Sequence, residues 1–311
     1  MRTLVCGSLA YDTIMVFPDR FGRYILPAET HMLSVSFQVG EMRREWGGCA
    51  GNIAYNLQGL GGVPVVMATL GHDGGPYRER FGERGIATDG LRTVDEAFTA
   101  QAFIITDLDD NQITAFHPGA MNHSHVNRVT DVADIGLGIV APDGKEGMQR
   151  HSEQFAQAGI PFMFDPGQGL PLFDGPELAA MIERASYLAV NDYEAKLLSE
   201  RTGLSIGALA ERVDALVVTL GGEGSVIHAG GATHVIEAVK PAAIVDPTGC
   251  GDAYRAGLLY GIAHAWDWER TGRLASVLGA LKIASRGGQN HIVNRATVAA
   301  LYSKTFGEDL F

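Results

Sequence analysis

The second half of the chain alternates short apolar runs with amphipathic helical patterns, and this alternation constrains the fold more than any other feature. Strand-like runs occupy residues 135–140, 161–164, 187–190 and 215–220, and a helical pattern lies between each run and the next. Strands that alternate with helices in this way form parallel sheets whose two faces are both covered. We therefore predict an α/β fold with a doubly wound, mainly parallel sheet flanked by helices.

Polar or glycine-rich clusters follow most of the predicted strands. In an open α/β sheet, ligands bind in the crevice outside the carboxyl ends of the strands. The clusters are therefore expected to meet at one edge of the sheet and to form one site. They comprise Ser8 and residues 165–169, 191–194, 219–224 and 246–252.

The stretch DPTGCGDAYRAG at 246–257 predicts an anion-binding loop. Gly249, Cys250 and Gly251 are small residues at the start of a helical pattern, where backbone N–H groups and the helix dipole suit a phosphate. Asp252 on the rim would repel a bound phosphate, which favours a role as a base that takes a proton from an attacking hydroxyl. A helix N-cap is the alternative role for Asp252.

Other polar residues stand at similar positions. Asn52 falls on the first turn of a helix that follows the glycines of 47–62, and its amide can both donate and accept hydrogen bonds. Asp12, just beyond the first strand, is either a ligand for a substrate hydroxyl or an ordinary loop residue. Asn191 and Glu194, spaced Asn-x-x-Glu at a helix start, either hold a hydrated Mg²⁺ through water or cap the helix.

The first half of the chain has a different texture, which predicts a small antiparallel sheet serving as a lid. Residues 33–39 alternate apolar and polar side chains with the period of a strand, and 100–106 and 112–116 form a strand pair around a polar turn. The sequence has neither a repeat nor a long linker. We expect one domain over 1–311, with lid strands inserted at about 14–46 and 98–121.

Composition excludes several classes of function. The chain of 311 residues carries a net charge of −12, whereas nucleic acids and anionic membranes are bound by basic surfaces. Its three cysteines do not form a disulfide framework, which favours a reducing compartment. Its apolar runs are too short for a signal peptide or a membrane span. We expect a cytoplasmic protein that binds small molecules.

Two glycine-rich motifs, in this order, resemble the signatures of the ribokinase-like (PfkB-type) carbohydrate and nucleoside kinases. GGCAGNIAYNLQGLGG at 47–62 resembles the first signature and DPTGCGDAYRAG the second, while NDYE and TLGGEG resemble the family's Asn-x-x-Glu element and nucleotide-binding turn. The resemblance covers essentially the whole chain, and several stretches are most similar to bacterial adenosine kinases. Cys250 departs from the usual Ala, Gly or Val, which affects only the fine geometry of the loop.

The resemblance implies a kinase of purine salvage that transfers phosphate from ATP to the 5′-hydroxyl of adenosine, with Mg²⁺ as cofactor. Asp252 would be the base, and the N–H groups of 249–251 would stabilise the transferring phosphoryl group. The ribose hydroxyls would be bound by Asp12, Gly48 and Asn52, and further nucleoside contacts would come from Ser8, Ser36, Phe116 and Gln168. Thr219, Gly221 and Gly224 would line the ATP site, Asn191 and Glu194 would serve phosphate and Mg²⁺ through water, and Asp246 and Thr248 would hold a monovalent cation such as K⁺.

The predicted base pocket leaves the identity of the acceptor open. Phe116 suits a base-stacking role, with packing on the core as the alternative. In similar adenosine kinases a second lid aromatic completes the base sandwich, but Ala102 aligns with that position, and a strand directs its neighbour Phe103 to the opposite face. The alternatives are a broad nucleoside kinase acting on inosine, guanosine or cytidine, a sugar kinase of the same family, and a nucleoside-binding regulator without catalysis. Exposed lid edges favour a homodimer formed through the lid.

Overall fold

The computed structural model describes residues 1–25, 34–109 and 111–311. In chain order the strands are β1 (Arg2–Cys6), β2 (Ala10–Val16), β3 (Glu41–Gly47), β4 (Val63–Gly71), β5 (Ala87–Val94), β6 (Ala100–Thr106), β7 (Gln112–His117), β8 (Ile135–Val140), β9 (Phe162–Phe164), β10 (Tyr187–Asn191), β11 (Ala215–Thr219), β12 (Ser225–Ala229) and β13 (Ala232–Ile236). The α-helices are α1 (Cys49–Gly59), α2 (Gly75–Glu83), α3 (Lys145–Ala158), α4 (Gly175–Arg184), α5 (Asp192–Thr202), α6 (Ile206–Ala210), α7 (Cys250–Ala263), α8 (Trp268–Ile283) and α9 (Arg295–Phe306).

The main sheet confirms the predicted doubly wound architecture. Its nine strands run in the order β13-β12-β11-β10-β9-β8-β1-β4-β5. All neighbours from β11 to β5 pair in parallel, and only β12 and β13 add antiparallel pairs at one edge. The chain leaves β1 toward β4 and β5 and then returns to β8, so the strand order reverses between β1 and β8. In such sheets this reversal opens a crevice for ligands.

Helices cover both faces of this sheet, and each face has its own apolar core. On β1, Val5 packs with residues of α1, α2, α7, α8 and α9, whereas Leu4 and Cys6 pack with residues of α3 to α6. Successive side chains of a strand point to opposite faces, so one strand contributes to both cores. Inner strands such as β1 and β4 are short apolar runs rather than alternating ones because neither of their faces meets water, whereas the edge strands β5 and β13 are partly exposed.

A second sheet of four strands has the order β3-β2-β6-β7. β3 and β7 pair antiparallel with their neighbours, whereas β2 and β6 pair in parallel, so the predicted small sheet exists but is mixed rather than purely antiparallel. Register places Asp12 beside Ala102, and Ala102 beside Phe116, in one row across three strands. These three side chains therefore share one face of the sheet.

One predicted strand is wrong. Residues 34–39 form no strand, and Leu33 lies outside the described residues, as does Asp110 of the predicted turn. The strand lies instead at Glu41–Gly47, where it pairs with β2 over seven residues. Its sequence, EMRREWG, is too charged to show apolar alternation, because most of this edge strand is exposed or half-buried. Long-range pairing, rather than local pattern, sets its position.

Within the described ranges, none of the helices combines the length and the apolar character that are needed to cross a membrane.

Candidate active site

A cavity of about 630 Å³ lies between the second sheet and the carboxyl edge of the main sheet. Its volume is ordinary for a small-molecule site. Most of the predicted acceptor-side residues line it, together with the predicted base: Ser8, Asp12, Gly48, Asn52, Phe116, Gln168 and Asp252. Ser36 is the exception, because it is exposed and is missing from the described residues that line the cavity.

The second sheet forms the roof of this cavity. Asp12, Ala102 and Phe116 line it from their common row, and Ile104 and Thr114 line it from the next row. Phe103 points away from the cavity and is 41% exposed, as the alternation of a strand requires. The roof therefore presents the aromatic ring of Phe116 at one position and only the methyl group of Ala102 at the position next to it.

Asp252 faces this cavity from the first turn of α7. Asn52 of α1, only 4% exposed, donates from Nδ2 to Asp252 Oδ2 at 2.8 Å. Gln289 in turn donates from Nε2 to Asn52 Oδ1 at 3.2 Å, so both amide atoms of Asn52 are engaged. Asn52 was predicted as a ribose ligand, and the structure adds a second part for it, which is to hold the carboxylate of Asp252.

Burial raises the pKa of two carboxyl groups in this cavity. The pKa of Asp252 rises to about 6, since burial and the nearby Asp165 outweigh the hydrogen bond from Asn52 and the charge of Arg255. The pKa of Asp12 also rises to about 6, through burial and then through the charges of Asp246 and Glu45. Both groups are ionised at neutral pH and titrate just below it. Such values suit an acid–base role better than those of exposed carboxylates.

The anion-binding loop has the backbone geometry that the sequence predicted. Gly249 adopts a φ of 78° and caps α7, and a Cβ there would come within 3.3 Å of Asn52 Nδ2. The N–H of Cys250 donates to Pro247 O at 3.1 Å. The N–H groups of Gly251 and Asp252 have no hydrogen-bond partner among the described residues, because the first turn of a helix has no carbonyl one turn earlier. Free donors at a helix start suit a phosphoryl oxygen.

A second cavity of about 540 Å³ adjoins the other side of this loop. Thr219, Gly221 and Gly224, predicted for ATP, line it together with Cys250 and Gly251. Its remaining wall is largely apolar and comes from α7, α8 and the segment that precedes the loop. The loop 249–252 therefore divides two cavities, with Asp252 facing one and Cys250 facing the other. Burial raises the pKa of Cys250 to about 11, so its thiol stays protonated and is a poor nucleophile.

Asn191 and Glu194 form the capping arrangement that was the alternative to a metal-side role. Asn191 Oδ1 accepts from Glu194 N at 2.7 Å, and Glu194 Oε2 accepts from Asn191 N at 2.8 Å. Neither residue is among the described residues that line the two cavities. Glu194 Oε1 takes no part in the cap, which suits a carboxylate that holds a hydrated Mg²⁺ through water. No group of three or more His, Cys, Asp or Glu side chains within the described ranges suits a metal ion.

The residues at the predicted monovalent-cation site do not suit a separate ion. Asp246 Oδ1 accepts from Thr248 N at 2.9 Å, and Asp246 Oδ2 accepts from Gly287 N at 2.8 Å. The carbonyl of Asp246 accepts from the ammonium group of Lys282 at 2.7 Å. A lysine side chain thus already supplies a positive charge at this position.

A buried ion pair behind Asp252 was not predicted. Arg255 donates from Nε and Nη2 to the carboxylate of Asp165 at 3.2 and 3.3 Å, and their side chains are only 5% and 7% exposed. The available signal was an arginine on an otherwise apolar helix, three residues after the base. Lys282 is likewise a charged residue in a largely apolar stretch of α8. The sequence does not indicate which group either residue binds.

Two cavities that meet at an anion-binding loop, with a buried carboxylate facing one of them, define a phosphotransferase that acts between two small molecules. The chain belongs to the pfkB family of carbohydrate kinases, whose family model it matches over residues 14–295. This match confirms the family that the glycine motifs indicated.

Similar proteins of this family include nucleoside kinases. The chain is 31% identical over 265 residues to the nucleoside kinase of Methanocaldococcus jannaschii, which covers 83% of this chain and 86% of that protein. The structure of Burkholderia thailandensis nucleoside kinase in complex with inosine is similar at 52% identity and a TM-score of 0.91, covering 99% of this chain and 98% of that one. The ADP-inosine complex of the same enzyme gives 54% identity and a TM-score of 0.88, covering 99% and 97%.

Proposed function

We propose that this kinase transfers the γ-phosphoryl group of ATP to the 5′-hydroxyl of nucleosides, adenosine and inosine among them. The observation that carries the proposal is the position of Asp252 and of the free N–H groups of Gly251 and Asp252 between two cavities. A base on the acceptor side and donors on the loop are what an in-line transfer between the two cavities requires.

A nucleoside suits the acceptor cavity better than a bare sugar. Asp12 and Asn52 stand where they can bind hydroxyls, and Phe116 offers an aromatic face some distance along the same roof. A sugar would leave the 51% exposed ring of Phe116 without a partner, whereas a base would stack on it. The inosine complexes of the similar B. thailandensis enzyme support the same acceptor class.

We propose that the enzyme accepts several bases. Ala102 lies directly beside Phe116 in the roof, so the base is held by one aromatic ring and has space on the side of the methyl group. A loosely enclosed base contributes less discrimination than one whose hydrogen-bonding edge is fully matched. The resemblance favours adenosine as the acceptor, whereas this open wall favours a broad nucleoside kinase that accepts adenosine among other nucleosides.

Catalysis would use groups that the fold has already placed. Asp252 accepts the proton of the 5′-hydroxyl as the hydroxyl oxygen bonds to the γ-phosphorus of ATP, while the bond from that phosphorus to the β–γ bridging oxygen breaks and ADP leaves. Asn52 holds the carboxylate of Asp252 in place through its hydrogen bond. The N–H groups of Gly251 and Asp252 bind the phosphoryl oxygens as their charge increases. When bound with ATP, Mg²⁺ would neutralise phosphate charge, and Glu194 Oε1 is the oxygen that would hold it through water.

We also propose that two copies of the chain pair through the second sheet. β7 is an exposed edge strand in every residue, and Phe103, Ile113 and Met42 are exposed on the same sheet. Unpaired strand edges and apolar side chains favour coverage by another chain. Light scattering would test this pairing.

The experiment that tests the function is ADP release from ATP and Mg²⁺ with adenosine, inosine, guanosine, cytidine, ribose and fructose 6-phosphate as acceptors. We expect turnover with several nucleosides and little with either sugar. Turnover with adenosine alone would refute the broad acceptor range and retain the nucleoside class. Turnover only with a sugar would refute the nucleoside proposal. If none of the six acceptors causes ATP to be consumed, a regulator without catalysis would be favoured.

A further inference from the structure

The ammonium group of Lys282 lies at the junction of two loops behind the anion-binding loop. Lys282 is on the last turn of α8 and is completely buried. Its Nζ donates to Asp246 O at 2.7 Å and to Ser285 O at 3.0 Å. A buried lysine is rare unless its charge is compensated, because the loss of hydration is costly. Two carbonyl oxygens from separate loops provide that compensation here.

The first loop is also bonded directly to the end of α8 and to the second loop. The N–H groups of Val245 and Asp246 donate to Ile283 O at 2.9 and 3.1 Å, and the N–H of Gly287 donates to Asp246 Oδ2 at 2.8 Å. The first loop continues through Thr248 into the anion-binding loop. A positive charge held between the two loops therefore fixes the segment from which the phosphoryl-binding donors begin.

The surroundings of Lys282 are those of a cation-binding site. Converging backbone carbonyls are typical ligands of a monovalent cation, and a lysine ammonium is a compact charge of comparable chemistry. Burial lowers the pKa of Lys282, while the negative charges of Asp246 and Asp252 oppose that shift and favour the protonated form. The Asp246 carbonyl that accepts from Lys282 also lies 4.0 Å from the Sγ of Cys250, so the ammonium group and the first residue of α7 share one oxygen.

We propose that the Lys282 ammonium is a tethered replacement for the monovalent cation implied at Asp246, and that the enzyme therefore works without K⁺ or Na⁺. A covalently attached cation is present at full occupancy, so the loop needs no dissolved ion to become ordered. Lys282 is a positioning residue under this proposal, since it acts through the loop and not on the substrate.

The test compares two substitutions of Lys282 in solutions of different cations and rests on the proposed nucleoside kinase activity. Lys282→Ala removes the charge and leaves space for an ion, whereas Lys282→Met removes the charge and fills most of that space. Lys304→Ala, at an exposed position of α9, is the matched control. ADP release with inosine is measured directly by chromatography, because coupling enzymes respond to cations themselves. KCl and choline chloride are compared at the same ionic strength of about 0.1 M, so that screening is equal.

We expect wild-type enzyme and Lys304→Ala to have equal rates in both salts. Misplaced phosphoryl donors should lower kcat of both Lys282 variants in choline chloride by about 10- to 100-fold. KCl should restore Lys282→Ala and leave Lys282→Met low. It should also raise the midpoint of thermal unfolding of Lys282→Ala alone, as an ion that binds only the folded state does.

Several results would overturn the proposal. They are activation of the wild-type enzyme by K⁺ over choline, full activity of Lys282→Met in choline, or failure of K⁺ to change either the rate or the unfolding midpoint of a folded Lys282→Ala. The wild-type comparison holds even when a variant does not fold. If no nucleoside is phosphorylated in any salt, the proposed function fails, while the unfolding midpoints still test the cation replacement.

Discussion

Replacing Asp252 with Asn separates its proposed catalytic role from a role in binding. The substitution keeps the shape of the side chain and removes the proton acceptor. It also retains a side-chain oxygen that can accept the hydrogen bond from Asn52 Nδ2, which in the wild type lies 2.8 Å from Asp252 Oδ2. We therefore expect the cavity to keep its structure, the dissociation constant of the nucleoside to stay within a few-fold, and turnover to be lost.

The expected size of the loss follows from the task of the base. General-base catalysis contributes about 10²- to 10⁴-fold, so kcat should fall by at least about 10²-fold, or about 2.7 kcal/mol of transition-state stabilisation. The pKa of about 6 adds a second expectation. Only the ionised carboxylate accepts a proton, so kcat/KM of the wild type should be level above pH 7 and should fall about tenfold per pH unit well below pH 6.

The assay is single-turnover ADP formation with saturating ATP and Mg²⁺, alongside calorimetric binding of the nucleoside. Asp309→Asn, at an exposed carboxylate whose loss changes the charge equally, is the control. Normal turnover by Asp252→Asn would refute the base, whereas a large loss of nucleoside affinity would make Asp252 a binding residue. An acid limb centred near pH 4 would refute the argument that burial raises the pKa of this carboxyl group.

Three further predictions concern the acceptor cavity. Phe116→Ala should weaken nucleoside binding by about 5- to 150-fold, which corresponds to about 1–3 kcal/mol of stacking, while Phe103→Ala on the opposite face should leave binding unchanged. Equal effects of these two variants on binding would contradict stacking. Ala102→Phe should narrow the range of nucleosides that are phosphorylated in the six-acceptor assay. Asp143 is buried in the cavity wall, and burial raises its pKa to about 8. The folded protein therefore binds one more proton than the unfolded chain between about pH 4 and pH 8, so this group lowers stability as pH rises through that range. Asp143→Asn should gain stability over the wild type from pH 5 to pH 8 in denaturant unfolding, and a constant difference would contradict the shift.

Local patterns predicted the bounds of several elements. The helical pattern over 145–158 and the strand pattern over 100–106 have the bounds of α3 and β6, and the helical pattern that begins at about 295 coincides with the start of α9. The apolar pattern over 273–286 predicts a helix that begins at Arg273, but α8 begins five residues earlier, because its N-cap is Asp267, whose Oδ1 accepts from Arg270 N at 2.8 Å. A capping aspartate before a tryptophan gives a weaker signal than the apolar pattern that follows it.

The candidate site could be predicted where position in the fold decides it. Residues that follow strands or start helices, such as Ser8, Gly249 and Thr219, meet at one edge because parallel strands end there. The partners of Arg255 and Lys282 could not be predicted, because 90 and 36 residues separate them from the groups they bind. No spacing rule connects a helical side chain to a loop at that distance. Ser36 was assigned by resemblance alone, and the structure leaves it outside the cavity.

Three buried polar contacts surround the anion-binding loop, and the free-energy cost of desolvating these groups indicates that they serve a purpose other than stability. Asn52 holds Asp252, Lys282 holds the carbonyl of Asp246, and Arg255 holds Asp165. Apolar residues would often be at least as stable at positions such as the buried ion pair, because desolvation offsets much of the attraction between charges.

Apolar residues would not, however, provide a fixed electrostatic field at the anion-binding loop. Burial and Asp165 raise the pKa of Asp252, while the hydrogen bond from Asn52 and the charge of Arg255 lower it, so Asp252 stays ionised at neutral pH. The donors of the loop and the charge of its base are thus set before any substrate binds. Groups that do not have to reorganise during the reaction stabilise a transition state more than a ground state. The buried polar network is therefore better explained by phosphoryl transfer than by folding stability.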